Sequence, residues 1–133
     1  MGDVFHAKTL ERVRAAFAAG DLNRFAALLH PEARWVSVER DEESACSNRD
    51  QVLAVMRPAF EAGVRATLVQ ARLSGDRVLV ELQTHVPPEV ADTFPLAARP
   101  GAKWKVLTLS AGTVTHIQDC SDRDEAEALL LPA

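Results

Sequence analysis

A small set of side chains in this chain could do chemistry. Asp119 in "TVTHIQDC", Lys105 in "KWKVLTLS", Glu39 in "RWVSVER", and His85 and His116 all stand in stretches of alternating polarity, where a strand would hold them toward one face or the other. A carboxylate on an apolar face can take a proton from the carbon beside a carbonyl, and a nearby ammonium can carry the negative charge that then develops. For Asp119 the competing reading is an ion pair that closes the strand end, and pairing with Lys105 would make it a poorer base. Glu39, near a strand end, has a plainer reading as a solvated charge. Histidine titrates near neutrality, yet alternation sends His85 away from the face of Val78, Val80 and Leu82, and His116 away from that of Asp119. His116, Asp119 and Cys120 have a spacing that suits a helix better than a strand, so we expect no metal site and no cofactor. Cys46 and Cys120 have no CxxC spacing and read as reduced structural thiols.

These residues need a scaffold, and the composition allows one. The chain has 133 residues, 47% hydrophobic and 26% charged, which suits a single domain spanning residues 1–133 with one real core. A formal net charge of -4 and the scattering of Lys and Arg among carboxylates argue against nucleic acid as a partner. No apolar run is long enough to span a bilayer, and "MGDVFHAK" does not read as a signal peptide, so the expected location is cytoplasmic, with no membrane partner.

In "AAFAAGDLNRFAALLHPEARW", Gly20 and Asp21 split what would otherwise be one helix. Glycine favours the left-handed C-cap conformation and aspartate caps a new helix, so helices over 4–19 and 22–29 are predicted, with Pro31 closing the second. A strand over 34–40 follows, with Trp35, Ser37 and Glu39 on one face. A third helix, capped by Ser47 or Asn48, should bury Val52, Leu53, Val55 and Met56 and be interrupted at Pro58. Hairpins are predicted for 65–74 with 77–86 and for 103–110 with 113–120. Their turns are Gly75-Asp76 and Ala111-Gly112. Between the hairpins, Pro87 to Gly101 reads as a long loop and a possible lid, and an acidic helix capped by Asp122 ends the chain. Early helices against a late antiparallel sheet make an α+β domain.

"AAFAAGDLNRFAALLHPEARWVSV", "SNRDQVLAVM", "GDRVLVEL" and "VLTLSAGTVTHIQD", in that order, resemble the nuclear transport factor 2-like superfamily, in particular its SnoaL-like polyketide cyclase branch. Asn48 departs from the glycine usual in relatives. The resemblance implies a cone-shaped α+β barrel of the cystatin-like type, with a hydrophobic pocket inside and a homodimer formed through the outer sheet face, where Trp104 and Val106 would lie. Matched to the ketosteroid isomerase branch, the three working positions fall at Val13, Ser37 and Lys105, none of which can play the family's part there. The chain also lacks the tyrosine with which limonene epoxide hydrolase-like relatives place water.

The same matching, with alternation, turns Trp35, Ser37, Glu39, Leu82, Thr84, Leu107 and Ile117 into the pocket beside Lys105 and Asp119. Asp119 falls where SnoaL-like cyclases carry an acid-base aspartate, although the Glu, His and Trp of their motif are absent from "HIQD". The implied function is a pocket protein for a hydrophobic small molecule. It would be a cofactor-independent cyclase or isomerase working by proton transfer on a carbonyl compound, with Asp119 as proton carrier and Lys105 as its electrostatic partner. The alternative is a non-catalytic ligand-binding or dimerising module.

Overall fold

The computed structural model describes residues 2–36 and 46–130. Helix α1 (Gly2–Ala19) stops at Gly20, whose φ of 59° lies in the left-handed region. Asp21 then caps α2 (Leu22–Leu28), accepting from the amides of Asn23 at 2.9 Å and Arg24 at 3.3 Å. The rings of Phe17 and Phe25 meet across the resulting hairpin, 5.6 Å apart.

The next boundary differs from the expected one. Strand β1 (Leu29–Val36) begins directly after α2 and runs through Pro31, which therefore lies inside a strand. β1 is an edge strand, where a missing amide hydrogen is tolerated. Its register with β5 jumps between Leu29↔Val114 and Arg34↔His116. The rest of the predicted strand, 37–40, lies outside the described residues.

Helix α3 (Arg49–Glu61) is capped by Asn48, which accepts from the Gln51 amide at 2.9 Å. It continues through Pro58, which sits in its last turns. Val52 is buried, with Leu53 and Met56 packed on the core, but Val55 is 41% exposed. At about 100° per residue, Val52, Leu53 and Met56 share a stripe and Val55 falls at its flank.

The sheet runs β1-β5-β4-β3-β2. Strands β2 (Arg65–Ser74), β3 (Arg77–His85), β4 (Lys103–Ser110) and β5 (Thr113–Cys120) are antiparallel neighbours, as hairpins require. β1 joins β5 in parallel, so the sheet is mixed. The β4–β5 turn places both Ala111 (φ 50°) and Gly112 (φ 83°) in the left-handed region, the tight hairpin geometry that matches strand twist. Between the hairpins, the expected loop holds a 3-10 turn at Pro88–Val90 and a short helix α4 (Pro95–Ala98).

Alternation divides the apolar residues between two cores. Val78, Val80, Leu82, Leu107, Leu109 and Ile117 face α1 to α3 and meet Val13, Leu28 and Val52. A register shift at Thr108/Leu109 lets Val114 and Ile117, three residues apart, share that face. Leu79, Val106 and Cys120 point the other way, under Ala126 and Leu130 of α5 (Arg123–Leu130). Asp122 caps α5, accepting from the Glu125 amide at 2.9 Å. Among the described residues, no helix is long and apolar enough to cross a membrane.

Candidate functional site

The register shift between Thr108 and Leu109 brings Lys105 opposite Asp119. Directly opposed residues share a face, and their neighbours two places along, Leu107 and Ile117, are buried on the helix side. Lys105 Nζ donates to Asp119 Oδ1 at 2.5 Å. From the parallel neighbour β1, the Trp35 indole Nε1–H donates to the same oxygen at 2.9 Å. Lys105 Nζ also lies 5.1 Å from the Trp35 ring centroid, within reach of its π face. The Lys105 and Asp119 side chains are 21% and 13% exposed, so this triad sits at the boundary between core and solvent. Both hydrogen bonds land on Oδ1, and Oδ2 receives none from the described residues.

Of the residues assigned to a pocket, the structure brings Trp35, Lys105 and Asp119 together. Leu82, Leu107 and Ile117 lie on the same face but are 4%, 3% and 1% exposed, packed into the core. Thr84 is turned to the α4 segment, its hydroxyl donating to the Ala97 carbonyl at 2.5 Å. Ser37 and Glu39 lie outside the described residues. His85 bonds Thr67, with Nε2 2.9 Å from Oγ1, and His116 is paired with Thr108. Neither histidine bonds Asp119. Among the described residues, no three His, Cys, Asp or Glu side chains converge as metal ligands would.

Residues 10–119 match the SnoaL-like domain family. The chain belongs to that family. Its fold is shared with a candidate SnoaL-like polyketide cyclase from Jannaschia sp. CCS1, at TM-score 0.65 and 15% identity over 98% of this chain and 94% of that one. An epoxide hydrolase of the LEH-like type from M. tuberculosis superposes with TM-score 0.62 at 16% identity, covering 96% of this chain and 90% of its own. An NTF2-like protein of unknown function from Burkholderia pseudomallei K96243 gives 0.63 at 20% identity, covering 96% and 98%. At such identities the likeness carries the fold alone. Among curated proteins, none matches the sequence.

Two depressions among the described residues of this SnoaL-like domain are lined by residues other than the triad. One of about 290 Å³ lies between Arg72, Leu73 and Ser74 of β2 and Glu127 and Leu130 of α5. A larger one of about 640 Å³ lies between Glu81, Gln83 and Thr84 of β3 and the segment Ala97 to Ala102.

Sequence reasoning did not single out Lys103. Its signal was present in "KWK", where period-two spacing puts Lys103 and Lys105 on one face. Burial, then the charges of Arg99 and Lys105, hold the Lys103 ammonium below the ordinary lysine value. No local spacing signalled the hydrogen bond from the Trp35 indole to the Asp119 carboxylate, 84 positions away.

Proposed function

We propose that this SnoaL-like domain transfers a proton on a hydrophobic carbonyl compound, as a cofactor-independent isomerase or cyclase. The observation that carries this reading is the double donation to Asp119 Oδ1 from Lys105 and Trp35. The ion pair opposes proton uptake by the carboxylate, and a substrate oxygen that draws Lys105 to itself relieves that opposition; meanwhile the two donors orient the carboxylate and leave Oδ2 to accept a proton from the carbon next to a carbonyl. When Oδ2 takes that proton, Asp119 becomes a neutral acid and negative charge moves to the substrate oxygen. Lys105, released from its ion pair, then stabilises the enolate. Return of the proton to another carbon completes an isomerisation; in a cyclisation the enolate carbon attacks a second carbonyl of the same molecule, and the alkoxide that forms takes the proton back from Asp119. Trp35 holds the carboxylate throughout, and Leu107 and Ile117 beneath supply a low-dielectric floor that strengthens these charges.

The test is deuterium exchange at the α-carbon of a neutral aryl ketone, followed by NMR. Asp119→Asn should slow enzyme-dependent exchange by about 100-fold or more. An unchanged rate removes Asp119 from the role.

The packing of Leu82, Leu107 and Ile117 favours a second reading, in which the triad closes a filled core and the domain only binds or scaffolds. A homodimer through the outer face remains part of both readings. Val106 is taken by α5, so the contact would use the β2 and β3 portion beyond it, and light scattering would read it out.

A further inference from the structure

The depression of about 640 Å³ falls within the roughly 300–1,000 Å³ of small-molecule sites, and its walls explain its existence. One wall is the segment that contains α4, where Ala97, Ala98, Gly101 and Ala102 are too small to fill the space. Thr84 donates to the Ala97 carbonyl and Lys103 to the Arg99 carbonyl, both at 2.5 Å, so this wall is tied to the sheet. On the sheet side, a register shift between Leu68 and Gln70 leaves Val69 without a partner on β3, and its side chain, 53% exposed, lines the recess. Glu81 supplies the charge. It is half-buried opposite Gln70, whose Nε2 donates to Oε1 at 2.8 Å. Among the described residues this is its one hydrogen bond, and no cation pairs with it. The nearby cations are committed: Arg72 and Arg123 both bind Glu127, and Arg99 at the rim has a partner of its own.

We propose that this recess binds a small primary amine with an apolar body, its ammonium on Glu81 and its apolar part between Val69 and the alanines of the facing wall. An amide orients the carboxylate through Oε1 without neutralising it, which leaves Oε2 to accept a charge-assisted bond. Gln83 lines the recess two places further along β3, on the face of Glu81, and its amide oxygen can accept a second N–H. Glu81 lies opposite Trp104, on the other side of the sheet from Lys105 and Asp119. The amine site therefore stands apart from the proton-transfer reading. The plainer alternative is a solvated carboxylate beside an empty surface hollow.

Calorimetric titration of the whole protein with 2-phenylethylamine and with 2-phenylethanol, its neutral counterpart, decides between them. At low salt the amine should bind about tenfold or more tightly than the alcohol, because only the amine makes a charge-assisted bond. Glu81→Gln keeps the size of the side chain and should erase that preference. Ala102→Leu, which narrows the recess and leaves the charge, should weaken both compounds. Asp119→Asn should leave both affinities unchanged, so the amine site and the proton chemistry can fail separately. A preference that survives Glu81→Gln would mean general attraction to an acidic surface and would overturn the site. Equal affinities would overturn it too, as would no binding of either compound, the result expected if a second copy covers this face.

Discussion

On β4 and β5 the pair Trp104–Cys120 faces α5, whereas the pair Lys105–Asp119, one residue along, faces the other way. The outer pair is sealed. Leu79, Val106 and Cys120 sit under Ala126 and Leu130, and α5 is held at its rim by Arg72 to Glu127 at 2.6 Å and by Arg77 to the Leu129 carbonyl at 2.5 Å. Burial, with the negative charges of Glu125 and Asp119, pushes the Cys120 thiol up to about 11, so it is inert at neutral pH. The helix-side pair is left half open, with polar groups meeting at the edge of a large apolar core. One strand pair thus presents a covered apolar contact on one face and a half-open polar one on the other, and single-residue alternation keeps them apart.

Truncation of the large core should have the biggest effect. Ile117→Ala is expected to cost about 3–5 kcal/mol in chemical denaturation, and Leu79→Ala, under a single helix that can settle, about 2–3 kcal/mol. Equal or reversed costs would break the distinction between a major and a minor core.

The triad comes next. Lys105→Met alone should cost about 1–3 kcal/mol because it strands a partly buried carboxylate, and pairing it with Asp119→Leu should recover all but about 1 kcal/mol. If the double variant is as unstable as the sum of its parts, Lys105 and Asp119 are not coupled and the ion pair does not set the helix-side face apart.

Cys120 sharpens the same contrast through pH. The unfolded thiol loses its proton near 9.0 and the native one only near about 11. In that window the native state binds more protons, so stability should fall as pH rises. Denaturation at stepped pH should show this decline in the parent chain and a weaker one in Cys120→Ala.

The smallest effect belongs to the exposed rim. The hydrogen bond from Arg72, reinforced by Arg123, holds the Glu127 carboxyl below its ordinary 4.5. Its contribution is therefore present above that value and lost as pH falls through the lowered native one. Hydrogen exchange of the α5 amides should quicken slightly in that acidic range and not in Glu127→Gln.

Much of this architecture was legible beforehand. Gly20, Asp21, Asn48 and Asp122 announced helix ends because caps act within a few residues, and the hairpins were readable because turn and alternation are equally local. Pro31 misled for the complementary reason. A proline that ends a helix and one that lies in an edge strand look alike until the neighbouring strand is known. Val55 was assigned to the core by its type, whereas its angle around α3 decided otherwise.

Alone, the order of residues determined the longer helices, the β-hairpins and the family, since caps, turns and alternation depend on spacings of a few residues. Tertiary structure alone decided that β1 enters parallel to β5, that the Trp35 indole reaches Asp119 Oδ1, and that α5 covers Val106. Trp35 and Asp119 are 84 positions apart. Contacts across such distances depend on how whole elements pack, and no local pattern encodes which oxygen a distant donor will find.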